Sequence, residues 1–170
     1  MTATIGGDSD PLLRRRLRVT MGDTDAAQVV YFAAPARWAE SMMSEWMAIA
    51  GFATSRLLAA GFGTPAVHAE FTYRSCLRLD DELDGCLRLD RLSQRSFTLR
   101  SDFALVGVSE PAVQIRLTQV YARTSGAALE VLLLPDELVR RLEGHRPPAR
   151  PRRGRQPLTP EHRYTSQELC

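Results

Sequence analysis

The 170-residue chain is 44% apolar with a net charge of +2, enough for one packed domain and a tail but not for two domains. No run approaches the roughly 18 apolar residues a spanning helix needs, and the N-terminus lacks the basic-then-apolar order of a signal peptide, so a cytoplasmic protein with no membrane partner is expected. The three cysteines, Cys76, Cys86 and Cys170, are odd in number and lack metal spacing, which argues against both a disulfide framework and a zinc site.

Residues 1–11 are small and polar and are expected to be disordered. A domain over residues 12–144 follows. Leu13, Leu17 and Val19 alternate roughly with Arg14, Arg16 and Arg18, which predicts a strand over Leu12 to Thr20 with one wet face. The strand feeds an acidic turn, Gly22-Asp23-Thr24-Asp25. Pro35 then announces a helix, since its fixed φ is helical and its missing N–H goes unused in a first turn. Over Ala36 to Ala50 the apolar positions, Trp38, Met42, Trp46 and Ile49 on one stripe and Ala39, Met43, Met47 and Ala50 on the next, cover most of the circumference. Such a helix is expected to be buried. Gly51 stops it.

From Pro65 the apolar period changes to two. Val67, Ala69, Phe71 and Tyr73 alternate with His68, Glu70, Thr72 and Arg74, and the same pattern recurs at Leu83 to Leu92, Phe97 to Phe103 and Val113 to Tyr121. Leu129 to Leu134 reads as a further strand, and Pro135 opens a short helix over Asp136 to Leu142. One strand, one long apolar helix and about five antiparallel strands make an α+β domain. A single antiparallel sheet curved about the helix, the hotdog fold, supplies the apolar partners that helix needs. Its open edges favour a homodimer or homotetramer. Residues 145–170 hold six arginines against two glutamates among five prolines, so the tail carries +4 and the rest of the chain −2. The tail is expected to be disordered and, with no aromatic residue among its clustered arginines, not to bind nucleic acid.

Asp23 and Asp25 precede the helix entrance, where unpaired N–H groups and the positive end of the helix dipole make a cradle for an oxyanion. A carboxylate aimed at a carbonyl carbon and an amide aimed at its oxygen suffice for acyl transfer. Serine chemistry is disfavoured because no serine lies in a G-x-S-x-G elbow. A hydratase would want a histidine at the helix entrance, and none lies between Met1 and Val67. His68, on the polar face of its strand, has no evident base partner.

GDTDAAQVVYF, the W-A-E helix after it, and GTPAVHAEFTYRSCLRLDDELD resemble the hotdog thioesterases of the 4-hydroxybenzoyl-CoA thioesterase type, and are similar to the 1,4-dihydroxy-2-naphthoyl-CoA thioesterases, over roughly Arg16 to Arg123. The resemblance implies a thioesterase, needing no cofactor and no metal, that hydrolyses an acyl-CoA or acyl-carrier-protein thioester with an aromatic or polyketide-like acyl group. It implies Asp25 as the catalytic carboxylate, with Asp23 a turn former. It implies the Phe32 N–H as oxyanion donor, Tyr31 and Thr64 at the acyl pocket, Glu40 near a substrate ring, and Arg95 at the CoA phosphates. Arg91 is a further candidate for those phosphates, because guanidinium suits phosphate. Gln28 departs from the pattern, standing where most relatives have glycine. It must either avoid φ > 0 or bring its amide toward substrate. The rival reading is a module that binds acyl-CoA or acyl carrier without turnover.

Overall fold

A computed structural model describes residues 10–126 and 128–145; the expected disorder of residues 1–9 and of the tail from Arg146 falls outside these. The elements run β1 (Leu13–Arg18), a 3-10 turn (Met21–Asp23), α1 (Ala34–Ile49), α2 (Thr54–Ala59), β2 (Phe62–Gly63), β3 (Ala66–Tyr73), β4 (Glu82–Leu92), β5 (Ser96–Leu105), β6 (Val113–Val120), β7 (Ala122–Arg123), β8 (Glu130–Val131) and α3 (Asp136–Glu143). Five strands form one antiparallel sheet in the order β1-β4-β5-β6-β3, and β2, β7 and β8 form a small second sheet. The strand expected over Leu129 to Leu134 is therefore only the two residues of β8. After it, Leu134 turns inward with Leu138 and Leu142 of α3, all buried.

The period-two pattern sets the core. Leu83, Leu87 and Leu89 of β4, Phe97, Leu99 and Phe103 of β5, and Val113 and Ile115 of β6 line one face, and Ala39, Met42, Trp46 and Met47 of α1 pack onto it in a single buried cluster. The Trp38 ring meets Phe103 edge-on, with centroids 5.4 Å apart. The sheet reaches only one side of α1. Ile49, read as part of an all-round apolar surface, is 69% exposed on the side left uncovered.

Close approach of helix to sheet is set by Gly85, buried in the middle of β4. A Cβ there would stand 3.0 Å from Met42 Sδ, 3.1 Å from the Arg15 carbonyl oxygen and 3.3 Å from Phe103 Cε1. Gly85→Ala is therefore expected to lower stability by roughly 1–3 kcal/mol, the usual cost of overpacking, read from the denaturant midpoint at an unchanged slope.

The outer face of the sheet is polar but its centre is not wet. Asp102 (1% exposed) accepts from Arg100 Nε at 3.0 Å and Gln114 Nε2 at 2.7 Å, and Arg88 (2% exposed) lies 3.6 Å away. Arg100 is committed to this cluster by its bond to Asp102. Cys86 beside it is a buried free thiol, while Cys76 is disulfide-bonded, against expectation. No helix among the described residues is long and apolar enough to cross a membrane.

Candidate active site

The chain leaves β1, makes the 3-10 turn and enters a miniature hairpin bridged at Thr24 and Val30, which delivers it to the mouth of α1. Asp23, at the end of the 3-10 turn, holds this assembly. Its Oδ2 accepts from the Thr20 N–H at 2.9 Å and the Thr20 hydroxyl at 2.6 Å. Its Oδ1 accepts from Arg37 Nη2 and Trp38 Nε1 of α1, each at 3.1 Å. Its carbonyl accepts the Tyr31 N–H at 2.7 Å. Burial alone raises the pKa of Asp23, but the bonds from Thr20, Arg37 and Trp38 together outweigh it and hold the carboxyl below its ordinary value. With its side chain occupied in this way, Asp23 is an anchor between loop and helix.

Asp25 faces solvent. Its Oδ1 accepts the Ala27 N–H at 2.8 Å, an Asx turn that leaves Oδ2 with no partner among the described residues. The loop closes through Gln28 N–H to the Asp25 carbonyl and Asp25 N–H to the Val29 carbonyl, both at 3.0 Å. Gln28 has φ 61°, so of its two options it takes the left-handed conformation a glycine would take freely, at a cost of about 1–2 kcal/mol.

The mouth of α1 has no side-chain cap at Ala33, and among the described residues no acceptor stands within hydrogen-bond reach of the Phe32 N–H. Phe32 is 67% exposed, and its ring touches that of Tyr31 with centroids 4.5 Å apart. The Tyr73 hydroxyl of β3 donates to the Phe32 carbonyl. Sequence reasoning did not select Tyr73; it read there only the inward apolar step of an alternating strand.

The remaining candidates lie elsewhere in the chain. Glu40 is six residues into α1, roughly 9 Å beyond its first residue, exposed, and accepts from the Ser44 hydroxyl at 2.7 Å. Thr64 precedes the start of β3, where its carbonyl accepts from Gln119 Nε2 at 2.8 Å. Arg91 and Arg95 are exposed around the turn joining β4 to β5. The register puts that turn and Thr64 at one end of the sheet, since Ala66 pairs with Gln119 and Ser96 with Val120. Asp25 and Phe32 sit at the other end, where Tyr73 pairs with Val113 and the Val30 N–H reaches the Leu77 carbonyl. The eight residues of β3 span about 23 Å. One chain therefore brings Asp25, Gln28, Tyr31 and Phe32 together and holds Thr64, Arg91 and Arg95 apart from them.

Two clefts of the single chain also lie away from Asp25. One is lined by Leu92, Gln94, Leu133, Leu134 and Val139, the other by Arg15, Arg37, Trp38 and Ser41. Asp25 and Phe32 are exposed, and their loop is flanked by β3. This strand is the sheet's last, and every residue of it except Thr72 is exposed, Val67, Phe71 and Tyr73 included.

A curved antiparallel sheet carrying one long helix, with an acidic loop at the helix mouth, defines a hotdog protein. The chain belongs to the thioesterase-like superfamily, whose family model matches residues 19–142. Among solved structures, the dynemicin thioesterase, described with polyene binding, is 26% identical, with a TM-score of 0.70 over 80% of this chain and 97% of that one. A gentisyl-coenzyme A thioesterase is 24% identical, with a TM-score of 0.68 over 76% of this chain and 99% of that one. A 1,4-dihydroxy-2-naphthoyl-CoA thioesterase from Synechocystis is 18% identical, with a TM-score of 0.69 over 76% and 93%. No curated protein matches the chain.

Proposed function

We propose that the chain is a thioesterase that hydrolyses an acyl thioester, with Asp25 delivering the attack and the Phe32 N–H holding the developing oxyanion. The observation that carries this is the pairing, in one loop, of a solvent-facing carboxylate with a helix-mouth amide that lacks an acceptor among the described residues. The Asp25 carboxylate is the reacting group. It either adds to the thioester carbonyl or takes a proton from a water that adds. Both routes place negative charge on the carbonyl oxygen. One preorganised amide there is worth roughly 2.7–4 kcal/mol of barrier. Collapse breaks the C–S bond, and the thiolate leaves to take up a proton. On the base route the acid is then free. On the nucleophile route a water must still hydrolyse the acyl anhydride left on Asp25, releasing the acid and restoring the carboxylate.

The working unit in this reading is a homodimer joined along β3. Antiparallel pairing of two β3 edges about a two-fold axis sets the Ala66 end of one strand over the Tyr73 end of the other. Thr64 of one copy then approaches Asp25 and Phe32 of the partner, and exposed Val67 and Phe71 are covered. The separation of the candidate residues within one chain supports this arrangement.

An aromatic or polyketide-like acyl group fits the ring-rich surface of Tyr31, Phe32, Phe71 and Tyr73, and the likeness to the dynemicin thioesterase supports it. Arg91 and Arg95 would meet the phosphates of CoA or of a carrier's phosphopantetheine. A panel of benzoyl, long-chain and polyene thioesters, each on CoA and on a carrier protein, is expected to show thiol release from at least one aromatic or unsaturated member. Binding without release on every member would overturn the hydrolytic reading in favour of a binding module.

A further inference from the structure

Two consecutive peptide groups at the mouth of α1 share one arrangement. The peptide between Tyr31 and Phe32 has its carbonyl occupied by the Ala34 N–H, at 2.8 Å, and the peptide between Phe32 and Ala33 has its carbonyl occupied by the Tyr73 hydroxyl. Neither N–H, that of Phe32 or that of Ala33, has an acceptor among the described residues. A hydrogen bond to a carbonyl polarises its peptide and makes the N–H of the same group a stronger donor. Both N–H groups stand before a helix of 16 residues that presents its positive end there.

We propose that Tyr73 is a positioning residue of the oxyanion site: its hydroxyl holds the Phe32 carbonyl so that the Ala33 N–H serves as a second donor beside the Phe32 N–H. This rests on the thioesterase reading above.

Tyr73 is suited to the task by its place in the fold. It closes β3, its backbone paired with Val113, and its ring lies nearly parallel to that of Phe71, 8° between planes and 6.5 Å between centroids. The hydroxyl thus reaches from a strand to a peptide 41 positions earlier in the chain. The ring alone would satisfy the strand's apolar step, so packing does not require the oxygen. Partial burial raises the pKa of the phenol, which keeps its proton for donation through the neutral range. Because β3 is also the proposed subunit contact, the same strand that meets the partner sets the second donor.

The test compares wild type, Tyr73→Phe and a protein carrying 3-fluorotyrosine at position 73 on one thioester that wild type hydrolyses, starting with benzoyl-CoA. Tyr73→Phe is expected to lower kcat about ten-fold while KM stays within two-fold and the circular-dichroism melt shifts by only a few degrees. The fluorinated phenol ionises at lower pH than tyrosine. It is expected to restore kcat near neutrality and to bring an alkaline fall in kcat that follows its own ionisation, a signature that a merely structural ring would not produce. Wild-type kcat in Tyr73→Phe, a loss of kcat that only tracks unfolded protein, or an unshifted pH profile for the fluorinated enzyme overturns the proposal and leaves the thioesterase reading standing. A wild type that releases thiol from no member of the panel overturns both.

Discussion

Asp25→Asn is expected to lower kcat by about three orders of magnitude, within the usual range for removing a catalytic acid or base, while the protein stays folded. The fold should tolerate the change because, among the described residues, this side chain's one hydrogen bond is from the Ala27 N–H at 2.8 Å, and an asparagine oxygen keeps that bond and the turn it closes. What is lost is the charge, so the variant should bind substrate and fail to turn it over. Rates within a few-fold of wild type, measured by thiol release on folded protein, would remove Asp25 from the mechanism. Single-turnover hydrolysis in ¹⁸O-water then separates the two routes. Label recovered in the Asp25 carboxylate marks it as nucleophile, and label confined to the product acid, with no acyl-enzyme trapped on rapid quenching, marks it as base.

Asp23→Asn is expected to cost about 2–3 kcal/mol of stability and most of the activity, although the substitution again changes only one atom type. The carboxylate is 7% exposed and accepts from the Thr20 amide and hydroxyl and from Arg37 and Trp38. An amide offers one acceptor oxygen in place of two, so one pair of these donors faces an NH₂ group and loses its bonds inside the protein. The pH dependence follows the same bonds. Because the folded carboxyl titrates below its ordinary value, its contribution is complete above that ordinary value and is lost as pH falls through the lower folded pKa. The wild type should therefore lose stability on acidification below about pH 4 more steeply than Asp23→Asn, and parallel acid-unfolding curves would refute this account. Activity falls because Asp23 also accepts the Tyr31 N–H, so the anchor and the oxyanion peptides move together.

Much of the fold was legible because its signals are local. Pro35 and the apolar stripes marked α1, which runs Ala34–Ile49, and the switch to alternation at Pro65 marked β3, which runs Ala66–Tyr73. Failures came where tertiary context decides. Leu129 to Leu134 is apolar enough for a strand, but most of that run serves to bring Leu134 and α3 onto the core. Arg88 and Asp102 alternate like wet residues and are buried in each other's company. For the site, the D-x-D loop and the aromatic pair were marked by their resemblance to a family motif, which a short stretch can carry because they lie within ten residues of one another. The anchoring bonds from Asp23 to Arg37 and Trp38, and the reach of Tyr73 to Phe32, join segments whose proximity no periodicity reports. The sequence also could not reveal that Thr64 and Arg95 lie at the far end of the sheet from Asp25, because strand register, not chain order, decides which end a residue occupies.

The bond from Trp38 Nε1 to Asp23 gives the protein a built-in optical reporter. Only two tryptophans are present, and Trp46 is sealed in the core. Light emitted by the indole of Trp38 is therefore sensitive to whether the loop that carries Asp25 is seated on the helix. Stopped-flow fluorescence can follow the arrival of an acyl thioester through that signal, in real time and without a label.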